Sequence, residues 1–273
     1  PGPRQSGFRD SMPLDNFFRG EQNVATVRST WYDRNALFMG FKGGHNQASH
    51  CDLDIGSFVM DALGTRWIVE LGSEYYEAPG MWDFGLTGGR WNYYRKRAEG
   101  NNTLVINPKA GADQNPFATA DIYKFESSDA AVYGLVDMTE AYKDDVQEAK
   151  RGFALVNNRS TMIVQDEIKN TKPAEIYSFF HTAAKVTVAP DKKSAIMEQN
   201  KQKMKVTLVS PNNAELLLMD AAPLPTSPSP SENLDNSMYK KLAVHMTNAV
   251  NPTISVVFTP VKEGQPETGI PSL

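Results

Sequence analysis

The chain has 273 residues, 40% of them hydrophobic, and a formal net charge of −4. That length allows one large domain with a substantial core, and the net acidity gives no support for a general nucleic-acid binder, whose surface is normally basic. The lone Cys51 excludes an intrachain disulfide framework without excluding secretion, and no run of about twenty apolar residues is present to span a membrane.

Residues 1–20 are rich in Pro, Gly and charge and read as a tail or linker, with Phe17-Phe18 able to dock onto the body. The start has neither Met nor an apolar leader, so the expectation is a mature product or a piece of a longer chain. From Asn23 to Tyr32 apolar and polar residues alternate, the period of a half-buried strand. Ala36 to Phe41 is a second strand. A polar loop runs from Lys42 to Ile55, and Ser57 to Gly72 reads as strand, tight turn at Gly64-Thr65, strand. Residues 73–89 form a long loop rich in Gly and aromatic residues, and loops of that length are usually functional. Arg90 to Arg97 mixes Arg, Lys, Trp and Tyr. Strands are predicted at 103–106, 119–126, 131–138, 151–157, 160–167, 175–182, 185–189, 194–199, 203–209, 214–220, 239–246 and 253–258, with one helical turn over 137–142. The Pro/Ser-rich stretch 221–231 must be a surface loop, because proline cannot donate in a ladder. There is no convincing internal repeat and no amphipathic helix of normal length. The fold class is therefore all-β: a large antiparallel multi-strand β-sandwich with few or no helices. The domain spans 21–262, and 263–273 is a C-terminal tail.

The central polar loop carries the most chemistry. Phe41 to Phe58 holds His45, His50, Cys51, Asp52, Asp54 and the pair Gly43-Gly44, which permits an irregular backbone. A polar loop mounted on a rigid hairpin is a usual place for ligand or catalytic residues. His50 lies among Ser49, Asp52 and Asp54, so a carboxylate is expected to tune its charge. His45 is a second polar candidate in the same cleft. Cys51 alternates away from its neighbours and reads as a small buried packer. His181 and His245 fall within strands and read as core or cross-strand residues.

The pattern Gly-Gly-x-Asn-x-x-Ser-His50-x-Asp52-x-Asp54-x-Gly56-Ser57-Phe58, with Glu70 and Asn102-Thr103-Leu104-Val105, resembles the heparinase II/III-like family, in its C-terminal β-sandwich domain. The resemblance runs from about Asn23 to Val261. It implies a super-sandwich fold and membership of a polysaccharide lyase acting by β-elimination on uronic-acid-containing chains, glycosaminoglycan- or alginate-like. It implies that His50 faces the cleft, where it neutralises the uronate carboxyl or handles a proton. It further implies an upstream α/α-toroid domain that supplies a catalytic Tyr, so that this domain by itself is inactive. The expected location is periplasmic or secreted, with any export signal outside this chain.

In related lyases the positions two and twenty residues beyond the His, and the residue before the Asn-Thr pair, hold a divalent metal, commonly zinc. Here they are Asp52, Glu70 and Asn101. Zinc prefers nitrogen and sulfur ligands, and an all-oxygen set suits calcium or magnesium better. A family-type zinc site is thus expected to be absent or weakened, and the alternative is a hydrogen-bonded cluster that pins the loop. Tyr94, Arg95 and Arg97 are candidates for contact with an acidic polysaccharide, because guanidinium groups grip carboxylates and sulfates and aromatic faces accept sugar rings. The plainer reading of 90–97 is a strand with one charged and one core face. The rival function is a noncatalytic carbohydrate-binding or structural β-sandwich.

Overall fold

Alternating apolar residues make nearly every element of the computed structural model a strand, and the structure describes residues 11–261. An eight-stranded antiparallel sheet has the order β14-β15-β16-β19-β12-β11-β10-β9. Its members are β9 (Ile122–Ser127), β10 (Val132–Asp137), β11 (Glu148–Val156), β12 (Thr161–Lys169), β14 (Lys185–Val188), β15 (Ser194–Gln199), β16 (Gln202–Ser210) and β19 (Thr253–Val261). A five-stranded sheet, β1-β2-β3-β5-β6, is built from β1 (Asn16–Phe18), β2 (Val24–Arg28), β3 (Phe38–Lys42), β5 (Phe58–Ala62) and β6 (Thr65–Ile68). A four-stranded sheet, β17-β18-β13-β7, holds β7 (Leu104–Ile106), β13 (Ala174–Thr182), β17 (Glu215–Asp220) and β18 (Lys240–Ala249). A short ribbon pairs β4 (Gly44–His45) with β8 (Thr119–Ala120). Among the described residues the one α-helix is α1 (Thr139–Tyr142), as the predicted helical turn required.

The two smaller sheets meet edge to edge, where the Val69 N–H donates to the His181 carbonyl at 2.9 Å. Both then face the large sheet. Phe41 and Phe58 of the five-stranded sheet pack on Phe153 of β11 at ring distances of 4.5 and 5.4 Å. Phe180 of β13 packs on Phe258 of β19 at 5.4 Å. One hydrophobic core fills the space between the layers. The hairpin β5–β6 turns at Leu63-Gly64, both with positive φ (53° and 69°), the geometry whose twist matches that of the flanking strands.

Two expectations need correction. The tail does not extend to residue 20: Asn16–Phe18 pairs with β2 as an edge strand, and Asp15 is bound by the Arg159 guanidinium at 2.6 Å. The segment after Gly88 is not a strand. It runs as three successive 3-10 turns, Gly89–Asn92, Tyr94–Lys96 and Ala98–Gly100. Strand alternation therefore does not govern which of its side chains are buried. The expected C-terminal tail, 263–273, lies outside the described residues.

A polar hub crosses the core. Arg151 of β11 is 0% exposed and lies directly opposite Asp166 of β12, with contacts of 2.6 and 2.9 Å to its carboxylate. Its other N–H groups donate to the carbonyls of Gly56 (2.9 Å) and Asn102 (2.8 Å) and to the Ser178 hydroxyl (2.9 Å). Asn102 extends the junction: its amide donates to the Phe58 and Val69 carbonyls, and its Oδ1 accepts the His181 N–H. One connected network thus joins the large sheet, the β5–β6 hairpin and β13. Removing one member of a buried ion pair leaves the other unpaired and typically costs about 3–5 kcal/mol. Arg151→Met is expected to lower unfolding stability by about that much in urea melts, and adding Asp166→Leu is expected to recover part of the loss.

Candidate functional site

The loop between Gly44 and Gly56 is fastened before it reaches His50. The Asn46 amide donates to Gln114 Oε1 and the Asn115 carbonyl, and Gln47 Nε2 donates to the Phe84 and Pro116 carbonyls. Cys51 is buried against the Asn46 carbonyl, as the alternation predicted, and burial pushes its thiol up to about 11. His50 sits at the crest. It is exposed and has φ of 59°, a left-handed backbone that His adopts more readily than most non-Gly residues. Such conformations persist where surrounding structure holds them.

The neighbours of His50 are aromatic. Its ring lies 5.7 Å from that of Tyr76 and 5.5 Å from that of Trp82. Tyr76 and Trp82 are themselves 5.5 Å apart, and Trp82 adjoins Phe84 at 6.3 Å. Neither flanking carboxylate serves His50, which corrects the sequence reading. Asp54 accepts from the Lys42 ammonium at 2.6 Å. Asp52 accepts from Lys96 at 2.7 Å and stands 3.4 Å from Arg90. Burial, helped by Asp54, pushes the Asp52 carboxyl up to about 6 against the pull of those two cations.

Arg90 is the residue that composition did not single out for this role. It is 0% exposed. Its Nε and Nη2 donate to the Cys51 carbonyl at 2.9 and 2.5 Å, and its Nη1 donates to the Met81 carbonyl at 2.9 Å. Cys51 follows His50, and Met81 precedes Trp82. A single guanidinium therefore fixes the two loops that carry the exposed rings. Gly80 (φ 75°) closes the second loop against Gly89, where a Cβ would come within 2.9 Å of the Gly89 Cα. The Tyr93 hydroxyl donates to the Pro79 carbonyl at 2.7 Å, and the Trp91 indole N–H to the Gly85 carbonyl at 2.7 Å.

The remaining sequence candidates are placed differently from expectation. Arg97, also 0% exposed, binds Asp113 at 2.6 Å and the carbonyls of Trp91, Lys109 and Ala110, so it holds the 3-10 segment and does not reach the surface. Tyr94 is buried with its hydroxyl 2.8 Å from His181 Nε2. Burial raises the Tyr94 hydroxyl well above its usual value and holds His181 well below its own, so the pair is neutral. Arg95 is half-buried and donates to Asn236 Oδ1 and to the Ser73 and Asp235 carbonyls, which ties the 3-10 segment to the loop that follows the Pro/Ser-rich stretch. His45 lies on the ribbon with its ring 3.5 Å from Glu21. For Tyr94 and Arg97 the physical reason is that the 3-10 path turns their long side chains inward, and Arg97 there meets backbone carbonyls that need donors.

Asp52, Glu70 and Asn101 do not fit a divalent ion as they stand. Asp52 already faces two cations. Glu70 is exposed and accepts the Gly72 N–H at 2.9 Å. The Asn101 amide donates to the Arg95 and Arg97 carbonyls. A cation brought to Asp52 would meet the Lys96 ammonium at contact distance. A cleft of about 200 Å³ is lined by Leu86, Thr87, Lys109, Asp113, Gln114 and Asp145 among others, and His50 is not among its lining residues. His50 opens to solvent.

The sequence profile described as heparinase II/III-like, C-terminal, matches residues 30–270. No curated protein matches the sequence. Among solved structures, the heparan sulfate lyase HepC from Pedobacter heparinus superposes with a TM-score of 0.69 at 14% identity, over 89% of this chain and 36% of that one. A structure described as heparinase III gives a TM-score of 0.64 at 17% identity, over 87% of this chain and 35% of that one. At such identities the likeness is one of fold, and the chain spans about a third of the length of these structures.

Two outcomes follow from the geometry. In Arg90→Lys the planar fork that reaches the Cys51 and Met81 carbonyls in fixed directions is lost, and losing a charged hydrogen bond is worth about 1.5–3 kcal/mol. Amide exchange over residues 50–53 and 81–84 is expected to quicken by roughly ten- to a hundredfold; unchanged protection would show that the loops hold themselves. Lys241, buried beside the rings of Tyr94 and Phe179, is brought down to about 8 by desolvation. Between that value and 10.5 the unfolded chain keeps a proton that the folded chain has lost, so this group makes stability rise with pH across the interval. Lys241→Met is expected to remove that rise from unfolding free energies measured at pH 8 to 10.

Proposed function

Because the chain belongs to the heparinase II/III-like C-terminal family, we propose that it is the β-sandwich part of a polysaccharide lyase and presents His50 to a uronic-acid-containing chain. The observation that carries this reading is the placement of His50: exposed, left-handed, and buttressed from beneath by Arg90. In β-elimination the proton α to the uronate carboxyl is removed by a base, the electron pair forms a carbon–carbon double bond, and the bond to the glycosidic oxygen breaks. That proton is weakly acidic until the carboxylate is neutralised. An imidazolium donating to the carboxylate performs this neutralisation.

The base comes from outside this chain, in an upstream helical domain facing the His50 surface, and the cleft forms between the two. The β-sandwich alone is then inactive. The substrate is a uronate-containing polyanion of glycosaminoglycan or alginate type, met in the periplasm or outside the cell. A noncatalytic carbohydrate-binding role is the second reading. It is favoured by one observation: the exposed rings beside His50 are those of Tyr76 and Trp82, which can hold a sugar face without any chemistry.

The test uses the natural full-length chain. His50→Asn keeps a residue tolerant of the left-handed backbone, and His50→Ala removes the ring entirely. Both are expected to cut formation of the unsaturated uronate, read by its ultraviolet absorbance, by about 10²–10⁴-fold with circular dichroism unchanged. Wild-type turnover in both variants would remove His50 from the mechanism.

A further inference from the structure

We propose that Tyr76 and Trp82 form a stacking platform for a pyranose ring of the same polysaccharide, beside the residue engaged by His50. This rests on the reading that the His50 surface meets a uronate chain, and it adds a binding subsite to it.

Trp82 is 53% and Tyr76 40% exposed, and with His50 each ring touches the other two. Large apolar groups gathered on a surface usually mark a binding surface. These rings are not loose. The Trp82 indole N–H donates to the Tyr76 carbonyl at 3.0 Å, which fixes the ring relative to its partner. Met81 is held by Arg90, Pro79 by Tyr93, and the loop is pinched at Gly80 and Gly89. At its start, Glu74 is buried and accepts the Leu234 N–H at 2.8 Å. Rigid flat rings on a pre-ordered loop bind without a large ordering cost.

The occupant is a sugar rather than a protein segment for two reasons. A pyranose presents a flat face of C–H groups that matches an aromatic face, with hydroxyls at its rim for polar neighbours. His50 supplies such a neighbour within the triangle of rings. The loop's own carboxylates, Asp83 on the Gly85 N–H and Glu77 on the Tyr75 hydroxyl, stay exposed and charged, so the rings and His50, not an excess of positive charge, select the sugar. An apolar protein segment would leave the His50 ring without a polar partner.

Trp82 is the exposed tryptophan, whereas Trp67 and Trp91 are buried and Trp31 is partly covered. Binding is therefore readable by emission in the natural full-length chain. The probes are a glucuronate-containing glycosaminoglycan hexasaccharide and an alginate hexasaccharide. At least one is expected to shift the emission to the blue, and Tyr76→Ala, which keeps the Trp82 reporter, to weaken the shift. Trp82→Ala and Tyr76→Ala are each expected to raise KM about tenfold, more than they lower kcat. No emission response to either sugar, or an unchanged KM in both variants, would overturn the platform. So would Trp82 emission already quencher-resistant before sugar is added, which would mean that protein covers the rings. The two readings fail separately: loss of turnover in His50→Asn with unchanged KM in Trp82→Ala removes the platform alone. A raised KM in Trp82→Ala with full turnover in His50→Asn removes the catalytic role alone.

Discussion

The Arg151 guanidinium is the point at which the layers of this protein are joined. A sandwich of unequal sheets has a problem at the seam where the two smaller sheets meet: strand ends expose carbonyls inside the core, and an unpaired buried carbonyl is costly. Arg151 places donors there. Its charge is balanced by Asp166, directly across the ladder, and its remaining N–H groups reach Gly56, Asn102 and Ser178. Asn102 passes the connection to Phe58, Val69 and His181. The β5–β6 hairpin, from which the polar loop springs, therefore has a fixed position against both neighbours.

The same device recurs nearer the surface. Arg90 and Arg97 are also fully buried and also bind carbonyls from separate loops. Arginine suits this task because its planar fork offers several donors in fixed directions, which a lysine ammonium does not. The consequence for function is direct. Basic residues that composition would assign to an anionic ligand instead hold the backbone, and the surface left for a ligand is made of His50 and aromatic rings. No guanidinium of this segment is free to grip the ligand from above.

The arrangement also explains why the polar loop is rigid although it has almost no regular structure. Gln114, Asn115 and Pro116 hold it on one side, Phe84 and Arg90 on the other. The loop that follows the Pro/Ser-rich stretch closes over the 3-10 turns through Asn233 and Asn236. Residues distant in sequence thus support one small face of the molecule.

By itself the sequence determined the fold class, because strand alternation is a local signal of period two and survives without knowledge of any partner. It likewise determined the hairpin, with its turn set at Gly64-Thr65, one residue past the observed Leu63-Gly64, and the buried Cys51 and a polar loop bearing His50, since each rests on near neighbours. The tertiary structure alone decided which charged residues face inward. Arg90 to Arg97 carries charge and aromatics at every step, and a 3-10 path, unlike a strand, sends Arg97, Lys96 and Tyr94 into the core together. Whether Asp52 meets a histidine, a metal or Lys96 depends on a residue 44 positions away. Such pairings are set by how sheets stack, and no spacing along the chain encodes them.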